Sequence, residues 1–115
     1  MTLSKLQQEF TVAIAQLINY AHVRGYALTF GDAYRDPRAH GEVGQKASYS
    51  SAKSRHKVRL AVDFNLFANG NYVSHGTHPA YIDIGEEWER IHDLARWGGR
   101  FGDANHFSFE YQGVK

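Results

Sequence analysis

The chain has 115 residues, of which 43% are hydrophobic and 14% aromatic, so it can bury the core of one folded domain and is not disordered by composition. It contains no cysteine, which excludes disulfides and thiolate metal sites and leaves histidine and carboxylate side chains as metal ligands. The formal net charge of +1 does not favour a nucleic-acid partner, and no apolar run approaches the ~20 residues that a membrane-spanning helix needs.

The first predicted element is an amphipathic helix over residues 2–24. Its apolar residues recur at spacings of three and four, as one buried helix face requires: Leu3, Leu6, Phe10, Ile14, Leu17, Ile18 and Ala21. Ser4 and Gln7 match a capping box, and Gly25 stands where a helix ends. We therefore expect this helix to pack on the core and to carry no chemistry.

A short strand over residues 26–30 follows, and the Asp-Pro pair at 36–37 predicts the start of a short second helix. Residues 44–54 are rich in glycine and serine and show no period, which indicates a loop. Alternating apolar residues predict a strand over 58–67, and the Asn-Gly pair at 69–70 predicts a hairpin.

A further amphipathic helix is predicted to start at Asp83 and Glu86 and to stop at Gly98 and Gly99. Its apolar face would consist of Ile84, Trp88, Ile91 and Ala95. The last strand is expected over residues 106–111. This order of elements predicts a small α+β fold, one domain over residues 1–115, with an antiparallel sheet and a few flanking helices.

Strand parity indicates where chemistry would lie. Val58, Leu60 and Val62 alternate and should face the core, which leaves Asp63 on the opposite, polar side. In the last strand Phe107 and Phe109 belong in the core, so His106 also points to the polar side.

Two histidines and a carboxylate from separate segments, His56, His106 and Asp63, could hold zinc in a three-ligand site with an open position. Asp103 would then be left over as a base. His56 has the wrong parity for the strand that carries Asp63, so it should precede the regular pairing or lie across a bulge.

Four sequence elements resemble a known family. The run Ser54-x-His56-x-x-Arg59-x-Ala61-x-Asp63 is similar to the SxHxxGxAxD motif of the zinc D-Ala-D-Ala carboxypeptidases and L-alanyl-D-glutamate peptidases, the VanY-like family. Asp103-x-x-His106 resembles the second motif of that family, and Ala33-Tyr34-Arg35 resembles its upstream (G/A)YR element. Trp97-Gly98-Gly99 is similar to the WGG of the phage endolysin branch.

The resemblance implies roles for individual residues and a Hedgehog/D-Ala-D-Ala peptidase-like fold. By position, His56, Asp63 and His106 would bind Zn²⁺, and Asp103 would be the general acid/base. Arg35 would bind the substrate carbonyl and stabilise the oxyanion, while Ser54 and Arg59 would contact substrate or support the site.

Two positions depart from the family pattern. Arg59 stands where the motif usually has glycine, which adds a long basic side chain near the site. Ser108 stands where these enzymes often carry an acidic residue or histidine, a type that can orient a metal-bound imidazole.

The function that the resemblance implies is zinc-dependent hydrolysis of the L-Ala–D-Glu bond in the peptidoglycan stem peptide. The small size, the lack of a visible signal peptide and the WGG similarity favour a bacteriophage endolysin that causes cell wall lysis. We expect a monomer, made in the host cytoplasm, without stable membrane insertion or a nucleic-acid partner. It would reach the wall in the periplasm after membrane permeabilisation.

Three other functions remain open at this stage. A D-Ala-D-Ala carboxypeptidase or dipeptidase would use the same residues on the other end of the stem peptide. A non-catalytic zinc-binding module would keep the fold without turnover. The basic residues between Arg35 and Arg59 leave nucleic-acid binding as a third alternative, which would weaken steeply with salt.

Overall fold

The computed structural model describes residues 2–31 and 58–112. This part of the chain contains two α-helices, five strands and a 3-10 helix, joined by turns. In chain order they are α1 (Leu3–Val23), β1 (Tyr26–Phe30), β2 (Ala61–Ala68), β3 (Asn71–Tyr72), α2 (Pro79–Ile91), β4 (Ala95–Trp97), a 3-10 helix (Gly98–Phe101) and β5 (His106–Phe109). The strands form one antiparallel sheet in the order β1-β2-β5-β4, with β3 paired to the end of β2. The predicted α+β class with an antiparallel sheet and flanking helices is confirmed. Within these ranges no helix is long and apolar enough to cross a membrane.

Helix α1 closely matches its prediction, but its cap differs. Thr2 is the N-cap, and its side-chain oxygen accepts a hydrogen bond from the Lys5 amide at 3.1 Å. The predicted Ser4–Gln7 capping box is therefore wrong, because the helix begins one residue before Ser4. Gly25 follows the last turn with φ of +87°, a left-handed conformation that glycine adopts without steric cost.

Strand β2 lies at the centre of the sheet and begins later than predicted. It starts at Ala61 because Arg59 has φ of 56°, which interrupts the extended conformation. The predicted hairpin is confirmed: Asn69 and Gly70 both have positive φ, and Ala68 pairs with Asn71.

The core lies between one face of the sheet and the two helices. Leu60, just before β2, and the alternate strand residues Val62, Phe64 and Leu66 are buried with Phe107 and Phe109 of β5. Phe10 of α1 makes edge-on ring contacts with Trp88 of α2 and with Phe109, at centroid distances of 5.8 and 5.2 Å. The parity argument for the two strands is therefore confirmed, since their core-facing residues are those predicted.

The second long helix differs from its prediction at both ends. It begins at Pro79 rather than Asp83, and the N-cap His78 accepts a hydrogen bond from the Ala80 amide through Nδ1 at 3.0 Å. It ends at Ile91 instead of continuing to Gly98. Ala95, which was assigned to its apolar face, belongs to β4, where it pairs with Phe109.

Candidate active site

Asp63 and His106 face each other across the β2–β5 pair. They are direct partners in the antiparallel register, and Asp63 Oδ1 lies 3.2 Å from His106 Nδ1. Both residues are buried, with 9% and 7% of their surface exposed. They lie on the sheet face opposite the helices, because their strand neighbours Val62 and Phe107 belong to the core. Two of the three predicted metal ligands thus converge on one point of that face.

The segment that carries Asp103 and His106 is a tight turn. Its closing bond runs from the His106 amide to the Asp103 carbonyl at 3.1 Å, and the Asp103 amide donates to the Gly98 carbonyl at 2.8 Å. Gly98 lies so close that a Cβ there would overlap the Asp103 carbonyl oxygen and would lie 2.7 Å from His106 Cβ. The turn is therefore packed directly on Gly98, and the Asp103 side chain is exposed at its start.

Trp97, the residue before Gly98, packs closely between α2 and the 3-10 helix. Its indole ring fills a slot in which a Cβ on either Gly85 of α2 or Gly99 would overlap the ring. The indole Nε1 donates a hydrogen bond to the Ala104 carbonyl at 2.7 Å. The Trp-Gly-Gly sequence at 97–99 thus joins α2 to the turn from Asp103 to His106.

A polar cavity of about 190 Å³ adjoins Asp103. Tyr72, Ser74 and Tyr81 line it together with Asn105. The Tyr81 hydroxyl donates to the carbonyl of Phe64, the residue after Asp63, at 3.2 Å. Burial raises the pKa of Tyr81, and the hydroxyl of Tyr72 and the carboxylates of Asp103 and Asp63 raise it further, so this phenol remains a neutral donor at neutral pH.

Gly31 contacts Asp63 from the other side. Its amide donates to the Asp63 carbonyl at 2.7 Å, and a Cβ at Gly31 would lie 3.2 Å from Asp63 Cβ. The chain therefore leaves β1 directly beside the candidate ligand, four residues before Arg35 in the sequence.

The remaining predicted site residues divide into two groups. Arg59 is described and lies just before β2, outside the strand and with left-handed backbone. His56, Arg35 and Ser54 lie outside the described residues, as do the predicted short helix from 36–37 and the loop over 44–54.

Ser108 is a buried polar residue on the same sheet face as His106. It is fully buried, and its Oγ has no hydrogen-bond partner among the described residues. A buried hydroxyl without a partner costs free energy. Within this part of the chain, Ser108 does not provide the support for the His106 ring that an acidic residue could give.

The distance and the chemical types of Asp63 Oδ1 and His106 Nδ1 are compatible with two ligands of one zinc ion. Ligands about 2.0–2.2 Å from zinc at the tetrahedral angle lie roughly 3.4 Å apart, close to the 3.2 Å between Asp63 Oδ1 and His106 Nδ1. Imidazole nitrogen and carboxylate oxygen are ordinary zinc ligands. Residues 2–31 and 58–112 hold no group of three or more side chains placed to ligate a metal. A third ligand, predicted to be His56, would come from outside them.

Two of the other described histidines, His92 and His78, have side-chain contacts with a structural role. His92 stacks on Phe109 with ring centroids 4.4 Å apart, and its Nε2 lies 2.9 Å from Glu9 Oε1. His78 caps α2. His92 therefore packs against the core. His75 and His78 are exposed residues of the turn before α2, where the His78 ring also caps the helix.

Two residues near the site escaped the sequence analysis. Tyr81 was not considered because α2 was predicted to start after it. Glu89 belongs to none of the motifs in the sequence, yet its carboxylate accepts hydrogen bonds from the Trp97 amide and Arg100. Gly85 could have indicated that this part of α2 packs closely on another segment, because an isolated glycine within a helical pattern often marks a close packing contact. The segment is the one that contains Trp97.

A family model described as D-alanyl-D-alanine carboxypeptidase matches residues 48–109, which is more than half of the chain. The match includes the segment of the first motif, strand β2, and the turn with Asp103 and His106. No curated protein gives a significant match to the sequence.

Proposed function

Because the chain belongs to the D-alanyl-D-alanine carboxypeptidase family of M15 peptidases, we propose that it is a zinc-dependent peptidoglycan peptidase that hydrolyses the L-Ala–D-Glu bond of the stem peptide. The observation that carries the proposal is the pairing of Asp63 with His106, in which two buried side chains of types that bind zinc approach to 3.2 Å. Asp103 begins the turn that ends at His106, and in this proposal its carboxylate would act beside that pair.

His56, Asp63 and His106 would hold the zinc ion in this proposal. Two neutral imidazoles and one carboxylate leave the ion a net positive charge, with which it would polarise the scissile carbonyl and acidify water. Membership in a family that is generally zinc-dependent supports this assignment. The 3.2 Å between Asp63 Oδ1 and His106 Nδ1 supports it too, because that spacing suits two ligands of one zinc ion.

Asp103 would be the general acid/base. Its exposed carboxylate can remove a proton from the attacking water and return it to the leaving amine. The close approach of Gly98 to the Asp103 carbonyl restricts the backbone from which this carboxylate would act.

Arg35 would stabilise the negative charge that develops on the carbonyl oxygen. Ser54 and Arg59 would contribute to substrate binding, Arg59 through attraction to a stem-peptide carboxylate. The position of Gly31 against Asp63, four residues before Arg35, supports a location of Arg35 near the site.

The alternative is a D-Ala-D-Ala carboxypeptidase or dipeptidase. The matching family is described as D-alanyl-D-alanine carboxypeptidase, which favours this alternative, and the same residues would serve the chemistry. A non-catalytic zinc module is the further alternative. It has less support, because Asp103 and Arg35 would have no role there.

In its biological setting, the protein would act as a bacteriophage endolysin. We propose a single catalytic domain over residues 1–115 that works as a monomer on the peptidoglycan stem peptide. It would be made in the host cytoplasm and reach the cell wall after the membrane is permeabilised. The similarity of Trp97-Gly98-Gly99 to the endolysin branch supports this setting.

Digestion of purified peptidoglycan tests the proposal. Wild-type protein with zinc should release fragments with new N-terminal D-Glu, identified by mass spectrometry. Asp103→Asn should reduce the rate by about 10²–10⁴-fold, since general acid–base catalysis contributes that much. An exposed carboxylate remote from the site, Asp93→Asn, is the matched control and should act like wild type.

The products distinguish the alternatives. Released D-Ala would establish the carboxypeptidase instead. An absence of any product from a folded, zinc-bound protein would favour the non-catalytic module.

A further inference from the structure

The turn that carries Asp103 and His106 packs on the segment 97–101, which consists of the last residue of β4 and the 3-10 helix. Trp97 and Gly98 contact that turn directly, through the indole bond to Ala104 and through the close approach of Gly98 to His106. Any shift of this segment would therefore move both candidate active-site residues.

Glu89 of α2 ties the same segment to the helix with both carboxylate oxygens. Its Oε2 accepts from the Trp97 amide at 3.3 Å, and its Oε1 accepts from Nε and Nη2 of Arg100 at 3.1 and 2.8 Å. The Arg100 guanidinium also lies over the Trp97 ring, 5.4 Å from its centroid. One carboxylate thus holds the segment at its first residue and at its 3-10 helix.

The electrostatics agree with this geometry. Burial raises the pKa of Glu89, but the bonds from Arg100 and the Trp97 amide outweigh it and lower the pKa below its ordinary value. Glu89 therefore remains charged at neutral pH. Helix α2 is a rigid support, because the preceding residue, Trp88, is fully buried and donates to the Arg96 and Ser108 carbonyls.

We propose that Glu89 is a positioning residue that sets the placement of Asp103 and His106 through Trp97 and Arg100. This inference rests on the proposed peptidase function. Glu89 contacts the supporting segment and not the reacting atoms, so it is not a catalytic residue.

Amide hydrogen exchange, followed by NMR on the zinc-loaded full chain, tests the structural part without reference to activity. In Glu89→Ala we expect exchange of the Trp97, Asp103 and His106 amides to accelerate by about tenfold, because two supports of the segment are lost. Amides of the β1–β2 pair should be unchanged. Glu89→Gln keeps an acceptor for the Trp97 amide and should show a smaller acceleration.

Glu87→Ala is the matched control. Glu87 lies on the same helix and also pairs with an arginine, Arg90, but within α2 itself, at 3.0 Å. It should leave exchange at Asp103 and His106 unchanged. Equal acceleration in Glu87→Ala and Glu89→Ala, or a uniform acceleration across the sheet, would overturn the proposal.

Kinetics on a peptidoglycan substrate test the catalytic part. Glu89→Ala should lower kcat by about tenfold or more with little change in KM, since positioning acts on the chemical step. Glu89→Gln should restore part of the rate. A kcat equal to that of Glu87→Ala, despite faster local exchange, would overturn the proposal. If the wild type itself has no activity, the proposed function fails, whereas the exchange result still shows whether Glu89 holds the turn.

Discussion

Arg59 has a left-handed backbone, with φ of 56°, at the position where the resembled motif usually has glycine. In this conformation Cβ approaches the backbone carbonyl, which costs an L-residue roughly 1–2 kcal/mol. Arg59 therefore has the backbone conformation that suits glycine, although it carries a long side chain where the motif has none. The motif glycine reflects local backbone geometry at the entrance to β2.

Substitution of Arg59 can separate the backbone effect from loss of the side chain. Arg59→Gly and Arg59→Ala both remove the guanidinium, but only glycine relieves the left-handed strain. We expect the glycine variant to exceed the alanine variant in free energy of unfolding by about 0.5–1 kcal/mol, after the greater chain entropy of unfolded glycine is subtracted. Urea denaturation measures both. An alanine variant as stable as the glycine variant would show that this conformation carries no strain.

At the scale of elements, one carboxylate joins three of them. Asp83 of α2 accepts hydrogen bonds from the Tyr20 hydroxyl of α1 at 2.6 Å and from Nε of Arg24, the C-cap of α1, at 2.9 Å. It also accepts one from the Tyr26 hydroxyl of β1 at 2.9 Å. Burial raises the pKa of Asp83, but these three donors outweigh it and lower the pKa below its usual 3.8. The cluster fixes the helices against the edge of the sheet, away from the candidate active site.

This shift makes stability depend on pH in a definite direction. The folded-state pKa of Asp83 lies below its unfolded value, so the carboxylate stabilises the fold above that value. Its contribution is lost as the pH falls through the folded-state pKa. Asp83→Asn should cost about 1–3 kcal/mol at neutral pH, and its difference from wild type should shrink as the pH falls below the ordinary pKa of 3.8 and through the lower folded-state pKa.

Urea denaturation at several pH values measures that difference. Asp93→Asn, an exposed aspartate just after α2, is the control and should show little loss at any pH. A constant gap between wild type and Asp83→Asn across the acidic range would contradict the account.

Local pattern was sufficient to predict some elements and not others. The period of α1, the Asn-Gly turn at 69–70 and the parity that places Asp63 and His106 on one face all depend on residues near in sequence. Strand β4 could not be predicted, because its three residues become a strand only through pairing with β5 and through the slot that Gly85 leaves for Trp97. The start of α2 was predicted too late, because Asp83 was assigned to a cap when its partners lie in other elements.

In the molecule as a whole, the two faces of the sheet have different roles. The face beneath the helices is apolar and aromatic, and its packing keeps β2 and β5 in register. The opposite face carries Asp63, His106 and Ser108, which are polar yet buried. This second face therefore gathers side chains of the types that bind zinc, with Asp63 and His106 as direct partners across β2 and β5.

The location of a bound zinc ion tests the central claim most directly. Crystals grown with one equivalent of zinc and measured at the zinc absorption edge should show a single strong anomalous peak, about 2.0–2.2 Å from an Asp63 carboxylate oxygen and an imidazole nitrogen of His106. His56 should provide the third protein ligand, and the peak should vanish in Asp63→Ala. A peak at other histidines, such as His75 and His78, with none between Asp63 and His106, would contradict the account.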